Sequence, residues 1–194
     1  METIELFIAD EAKDGVFAVS LVEEPAIEED FVALSTDRIE LKVADEERKV
    51  VVGLALVPEK KIYRFMKGKE FNIFFSKDTI SKAQELYMKK LNLNNVTAEH
   101  EEKVTGASVI ESWIVEDSKN DKTNLYNLKA TEGSWAIMMK IDNEELWAKV
   151  KSGEFKGFSI EGIFGGFEQL EASKELTEDE KILKQLKELL DGGK

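Results

Sequence analysis

Short apolar runs of strand length recur along this chain, and they restrict its fold more than any other feature. Residues 50–57 form an almost continuous apolar run, as expected of a strand buried on both faces. Two further runs, residues 107–116 (ASVIESWIVE) and 134–141 (SWAIMMKI), predict strands that we expect to pair. Because strands outnumber the stretches with helical spacing, the pattern predicts an α+β fold. We expect a barrel-like, strongly curved, mostly antiparallel sheet wrapped by a few helices.

Start and stop signals place two internal helices. Ser76 is a suitable N-cap for a helix that continues to Leu91 and has apolar residues at helical spacing. Asp142 begins a capping box, with the aspartate at the N-cap and a glutamate three residues later, and Gly153 ends the helix that follows. These two helices are expected to connect strands of the sheet.

The two ends of the chain differ from its middle. Residues 1–36 predict two paired strands followed by an acidic, irregular connecting arm. Residues 177–191 carry a second capping box and a leucine stripe typical of an amphipathic helix. We therefore expect one domain over residues 1–170 and a C-terminal amphipathic helix within residues 171–194.

Composition argues against several classes of function. The chain has 40 Asp and Glu against 27 Lys and Arg, a net charge of −13, which argues against nucleic acid as a ligand. It has no cysteine and one histidine, so disulfides, thiol nucleophiles and zinc sites are not expected. No apolar run reaches the ~18 residues of a membrane span, and the N-terminal stretch lacks the basic region of a secretory signal. We therefore expect a cytoplasmic protein without a membrane partner, and no cofactor is indicated.

One serine and the only histidine are candidates for nucleophilic catalysis. Ser159 lies where a predicted helix and turn lead into a strand (GFSIEG), whereas a nucleophile elbow runs from strand to turn to helix, which argues against an α/β-hydrolase. A serine hydroxyl needs a neighbouring base, and only His100 or a lysine could take its proton here. Gly165 and Gly166 could supply oxyanion donors, although such glycines are more typical of a flexible strand end.

A carboxylate that holds the imidazole is the third candidate. Glu111 shares its predicted strand face with Val109 and Trp113, so a charge interrupts an apolar face. A buried carboxylate needs a partner, and an imidazole is a suitable one. The alternative is a glutamate at the sheet edge that reaches solvent or a lysine. From pattern alone, the non-catalytic interpretation of the serine, the histidine and this glutamate is favoured.

The motifs AEH, VIESWIVED, GSWAIMMKI and EELWAKVKSGEFKGFSIEG, in this order, closely resemble the serine proteases of tailed phages. Those are the prohead or capsid-maturation proteases, distant relatives of the herpesvirus assemblins. The N-terminal run GVFAVSLVEEPAIEEDFVAL is similar to the opening of the phage branch, so the resemblance spans about residues 4–165. It implies an assemblin-like, barrel-like fold and a serine endopeptidase that cleaves scaffold and major capsid proteins. The resemblance places the protein in the assembling prohead in the host cytoplasm, and the assemblins suggest a homodimer.

Carried over to this chain, the resemblance implies Ser159 as the nucleophile and His100 as the general base of an acyl transfer. Assemblins use a second histidine as the third member of the site, and this sequence has none. A carboxylate therefore takes its place, or the site works as a dyad. The resemblance favours Glu111, and Glu161, two residues beyond the serine on the same strand face, is the alternative.

Two other interpretations stay open. A catalytically silent capsid-assembly or scaffold protein could retain the protease fold. A serine–lysine dyad could use Lys156 or Lys151 as the base in place of His100. For any of the enzymes, the acidic surface favours basic or neutral substrate segments.

Overall fold

The computed structural model describes residues 1–23, 41–66 and 68–168. The predicted C-terminal helix of residues 177–191 and most of the predicted connecting arm lie outside the described residues. The division into a domain and a C-terminal helix therefore stays a prediction. None of the described helices has the length and apolar character needed to cross a lipid bilayer.

Eleven strands and two α-helices make up the described part of the fold. In chain order they are β1 (Glu2–Leu6), β2 (Gly15–Val22), β3 (Lys42–Asp45), β4 (Val50–Leu56), β5 (Ile62–Met66), β6 (Lys69–Phe75), α1 (Lys77–Lys89), β7 (Val96–Ala98), β8 (Glu102–Val104), β9 (Ala107–Ile114), β10 (Trp135–Ile141), α2 (Glu144–Ser152) and β11 (Gly157–Ile163). Two short 3₁₀ helices, Asn92–Asn94 and Lys122–Tyr126, lie in the connections. The predicted α+β class is confirmed.

The strands form three sheets rather than one. Their strand orders are β1-β6-β5 in the first sheet, β3-β4-β10-β9 in the second and β11-β2-β7-β8 in the third. The pairs β1–β6 and β2–β7 are parallel, and the other described pairs are antiparallel. A closed barrel requires a partner on both sides of every strand, whereas the outer strands of each sheet have one partner within the described ranges. The expected barrel-like closure is therefore not found in this part of the chain.

Local sequence signals account for most of the individual elements. β4 is buried along its whole length, as its apolar run predicts. It pairs with β10, which in turn pairs with β9 as expected. The side chain of Ser76 caps α1 by accepting a hydrogen bond from the Thr79 N–H, and α1 ends at Lys89, two residues before the predicted end. In contrast, β1 and β2 lie in different sheets, so their predicted pairing does not form.

The second helix begins one residue later than predicted. Asn143 is the N-cap of α2, and its side chain accepts hydrogen bonds from the backbone N–H groups of Glu145 and Leu146. The cap is therefore an asparagine in place of Asp142. The end is as predicted, because Gly153 takes the left-handed conformation, with φ of 76°, that closes α2.

The third sheet has an apolar face and a polar one, and the polar face positions the candidate site. On the apolar face, Leu21 and Phe158 are opposite each other and almost fully buried. The Phe158 ring packs directly on β4 at Gly53, where a Cβ atom would lie 2.9 Å from the ring. The opposite side, termed here the polar face, is formed by Ser20, Thr97, Ser159 and Glu161.

Candidate active site

Ser159 lies on β11, an edge strand of the third sheet. It is directly opposite Ser20 of β2, and Ser20 is opposite Thr97 of β7, so three hydroxyl-bearing residues form a row across the polar face. Ser159 is 4% exposed. Among the described residues, its hydroxyl has no hydrogen-bond partner. The serine is thus fixed by its strand, with a hydroxyl that is available to another group.

His100 lies in the tight turn between β7 and β8. Glu99 and His100 both have positive φ, 51° and 60°. Two positive φ angles are typical of a type I′ turn, and for residues other than glycine they cost about 1–2 kcal/mol each. Hydrogen bonds to β2 support this strain, because the Ser20 Oγ accepts from the His100 N–H and the Leu21 carbonyl accepts from the Glu99 N–H, both at 3.0 Å. Strained backbone held in this way is frequent at functional sites.

Glu161 is the carboxylate that contacts His100. Its Oε1 atom lies 3.3 Å from Nδ1 of the imidazole. The hydroxyl of Thr97 donates a hydrogen bond to the same oxygen. The side chains of His100 and Glu161 are 40% and 21% exposed, so solvent reaches the imidazole while the carboxylate is largely covered. The pair therefore joins the turn after β7 to β11, two strands that lie on either side of β2.

A carboxylate at Nδ1 determines what the imidazole can do. When Nδ1–H of a neutral imidazole is held by a carboxylate, Nε2 keeps the lone pair that accepts a proton. Within the described part of the chain, no hydrogen bond joins Ser159 to His100, and such contacts are often long before substrate binds. The third sheet thus carries a serine and a carboxylate on its polar face, with the imidazole of His100 in contact with the carboxylate. Over the same residues, no group of three or more His, Asp or Glu side chains could hold a metal ion.

Glu111, the first choice for the partner of His100, lies elsewhere. It is on β9 of the second sheet, and its carboxylate forms an ion pair with Lys122. Its side chain is 47% exposed, as expected of a surface glutamate paired with a lysine. The prediction that Glu111 contacts the imidazole of His100 is therefore wrong. The carboxylate beside the imidazole is that of Glu161, the alternative. The catalytic role of either glutamate stays a prediction.

A pocket of about 150 Å³ is lined by Ser159 and Ile160 of β11 together with residues of the first sheet and of β4. Its walls are mostly apolar and include Ile62, Phe75 and Phe164. Arg64 of β5 contributes a charged group to this lining. The candidate site therefore adjoins a depression of a size suited to a side chain.

Comparison with known protein families identifies the family to which this chain belongs. A family model described as "Putative phage serine protease XkdF" matches residues 37–168, more than half of the chain. The chain belongs to this phage serine protease family. The matched range includes Ser159, His100 and Glu161. No curated protein and no solved structure gives a significant match.

Two lysines were alternative bases for a serine protease of this family. Lys151 lies on α2 with an exposed side chain that forms an ion pair with Glu46 at 2.6 Å. Lys156 is also exposed. A lysine that acts as a general base is usually buried, which stabilises its neutral form. Neither lysine has such surroundings, whereas His100 has its carboxylate.

The two glycines considered as oxyanion donors have other partners in this member of the phage serine protease family. The N–H of Gly165 donates to the carbonyl of Phe7 at 2.9 Å, in an isolated bridge between the ends of β1 and β11. The N–H of Gly166 donates to the carboxylate of Glu168 at 3.0 Å. Both groups are therefore occupied, and the oxyanion donors stay unassigned.

Three residues at or near the site were not found from the sequence. Ser20 holds the backbone of His100, Thr97 holds Glu161, and Arg64 lines the pocket. A weak signal existed for two of them. Ser20 interrupts an apolar strand (GVFAVSLV), and Arg64 takes an apolar position in the alternation of IYRFM. Polar residues at such positions need a partner, so the sequence pattern indicates a polar contact at each of them.

Proposed function

We propose that this chain is a phage prohead endopeptidase that cleaves scaffold and major capsid proteins during capsid maturation. The observation that carries this proposal is the contact between His100 and Glu161 on the same sheet face as Ser159. Membership of a phage serine protease family supports the reaction class. The working place is the interior of the assembling prohead in the host cytoplasm, where the enzyme acts without a cofactor, and a homodimer is the expected assembly.

The proposed reaction is acyl transfer to a serine. Nε2 of His100 takes the proton of the Ser159 hydroxyl as Oγ attacks a peptide carbonyl carbon, and Glu161 stabilises the imidazolium that forms. The imidazolium then gives its proton to the leaving amine, and the peptide C–N bond breaks. Water, activated by the same imidazole, releases the acid product from Ser159. Thr97 and Ser20 hold Glu161 and the His100 turn in position.

The test is co-expression of the chain with the capsid and scaffold proteins of its phage, followed by intact-mass analysis. Wild type is compared with Ser159→Ala and His100→Ala. Ser81→Ala is the matched control, because Ser81 is an exposed serine on α1. We expect wild type and the control to trim a partner or their own chain, and the two site variants to leave all masses unchanged. Trimming by Ser159→Ala at the wild-type rate would refute the proposal, and trimming by His100→Ala would point to a lysine base.

A catalytically silent assembly protein is the second candidate. It is favoured by the 4% exposure of Ser159 and by the missing hydrogen bond between Ser159 and His100 in the described part of the chain. A fluorophosphonate probe separates the two, because it labels a serine that a neighbouring base activates. Labelling of wild type that is lost in both Ser159→Ala and His100→Ala supports the enzyme. Assembly with capsid partners, without labelling or trimming, supports the silent protein.

A further inference from the structure

Arg64 has surroundings unusual for an arginine. On β5 it alternates with Ile62, and both residues are directly opposite buried apolar residues of β6: Ile62 opposite Ile73, and Arg64 opposite Phe71. Phe71 and Ile73 are 1% and 4% exposed. Arg64 therefore lies on the apolar face of the first sheet, where the alternation of the strand calls for another apolar side chain.

The charge of Arg64 has no carboxylate partner among the described residues. Its Nη1 atom donates to the carbonyl of Tyr63, its own neighbour, at 2.8 Å. Burial lowers the pKa of the guanidinium below its ordinary value, since removal from water penalises the charged form. A partly buried cation of this kind is costly to the folded protein unless an anion joins it. The described fold supplies one neutral acceptor where a guanidinium has five donors.

Arg64 lines the same pocket as Ser159. The volume of about 150 Å³ is several times the ~30 Å³ that one water molecule occupies in the liquid, so a side chain fits in it. The other walls are mostly apolar, with Ile62, Ile73 and Phe164 among them. Such a pocket suits a side chain with an apolar stem and a charged end.

We propose that this pocket binds an acidic side chain of the substrate, with Arg64 as the specificity-determining residue. The guanidinium would pair with the carboxylate, and the apolar walls would hold the methylene groups, which favours glutamate over the shorter aspartate. This substrate class rests on the proposed protease function. The net charge of −13 favours basic or neutral substrate segments, because the surface as a whole repels acidic ones. The proposed pocket has the opposite preference at one position.

Binding can be tested without cleavage. The chain contains only three arginines, Arg38, Arg48 and Arg64, so arginine Nε–H signals are resolvable in the NMR spectrum of the labelled Ser159→Ala variant. The probes are the capped peptides acetyl-Ala-Ala-Glu-amide and acetyl-Ala-Ala-Gln-amide, and the Arg64 signal is assigned from its loss in Arg64→Gln. We expect the glutamate peptide to shift this signal with saturation, at least ~10-fold more tightly than the glutamine peptide. An Arg64 signal that neither peptide shifts would overturn the acidic pocket.

Specificity is tested with a peptide library cleaved by wild type, Arg64→Gln, Arg64→Lys and Arg48→Gln. Arg48→Gln is the matched control, because Arg48 is exposed in the turn after β3. We expect glutamate to be enriched next to the cleaved bonds. Arg64→Gln should lower kcat/KM for a glutamate peptide by about 10- to 100-fold and change that for its glutamine analogue by less than ~3-fold. Arg64→Lys should retain part of the preference.

The two experiments separate this proposal from the protease function. Ser159-dependent cleavage without a preference for acidic residues would overturn the acidic pocket and leave the protease intact. If Arg64→Gln lowered kcat/KM equally for the glutamate peptide and its glutamine analogue, the acidic pocket would also be overturned. Such an effect would reflect a change in folding and not in specificity. Absence of cleavage, with a saturable and glutamate-selective shift of the Arg64 signal, would end the protease proposal and retain Arg64 as a carboxylate site.

Discussion

Glu111 and Glu161 look alike in the sequence but have different surroundings in the structure. Each is a glutamate within a strand and close to a serine. Glu111 pairs with Lys122, whose ammonium lies 3.8 Å from the centre of the Trp113 ring. Glu161 contacts the imidazole of His100 and is 21% exposed, against 47% for Glu111. One carboxylate belongs to a surface cluster, and the other belongs to the candidate active site.

The surroundings of the two glutamates differ because different neighbouring elements lie beside them. Both glutamates themselves lie on strands, β9 and β11. Near β9, the short 3₁₀ helix that follows brings Lys122 to the carboxylate of Glu111, and the two form a surface ion pair. Near β11, the turn after β7 brings the imidazole of His100, a side chain that can both accept and donate a proton in catalysis. The chemistry that each glutamate can support is therefore decided by its partner, which is Lys122 for Glu111 and His100 for Glu161.

Exchange of each carboxylate for an amide should give the largest contrast between the two regions. Glu161→Gln keeps the size of the side chain but no longer favours Nδ1–H, so the imidazole can take the wrong tautomer. We expect cleavage of a capsid or scaffold substrate to slow by about 10³- to 10⁴-fold, as for the equivalent amide exchange in the serine protease template. Single-turnover cleavage, followed by mass analysis, measures the rate.

Glu111→Gln is the matched control for this prediction. It alters a glutamate within a strand of the same protein, and we expect its cleavage rate to remain within ~2-fold of wild type. If Glu111→Gln lost activity while Glu161→Gln retained it, Glu111 would be the third member of the site despite its contact with Lys122. If both variants retained activity, the site would work as a Ser159–His100 dyad.

Local signals explain what could be predicted about the fold. The N-cap at Ser76, the stop at Gly153 and the pairing of β9 with β10 all follow from residues within one element or from adjacent apolar runs. The sheets themselves could not be derived in this way. β2 has a parallel partner, β7, that lies some seventy residues later in the chain, and no local pattern specifies such a register.

The candidate site shows the same limit. Ser159 and His100 stand out because one histidine and one glycine-flanked serine are conspicuous in the sequence and match a family pattern. The partner of His100 depends on the register that sets Ser159 opposite Ser20 and Ser20 opposite Thr97. A one-residue slip would turn Glu161 to the other face of the sheet. Pattern alone could therefore list both glutamates but not choose between them.

Removal of the Ser20 hydroxyl should have a smaller effect that is specific to the candidate site. Ser20→Ala leaves the His100 N–H without its acceptor and loosens a turn with two positive φ angles. We expect kcat to fall by about 10- to 30-fold, the value of one buried hydrogen bond, with little change in KM. Because Ser20 acts through His100, it is a positioning residue, and Ser20→Thr should restore part of the rate by restoring the hydroxyl.

A serine outside the site separates positioning from stability. Ser134 is also 0% exposed, and its hydroxyl bonds to that of Thr131 in the connection before β10. We expect Ser134→Ala and Ser20→Ala each to lower the free energy of unfolding by about 1 kcal/mol, and only Ser20→Ala to lower kcat. Equal losses of kcat in the two variants would show that the Ser20 effect is a general loss of stability.

The smallest effect is expected in the Glu111 cluster. Burial lowers the pKa of Lys122, so the ion pair with Glu111 and the contact with the Trp113 ring do not fully offset the loss of water around the ammonium. Lys122→Met keeps the apolar stem and removes the charge. We therefore expect the free energy of unfolding in urea to change by less than about 1 kcal/mol, with unchanged cleavage. A loss of activity in this variant would connect the two regions and remove the distinction between the surface glutamate and the glutamate at the candidate site.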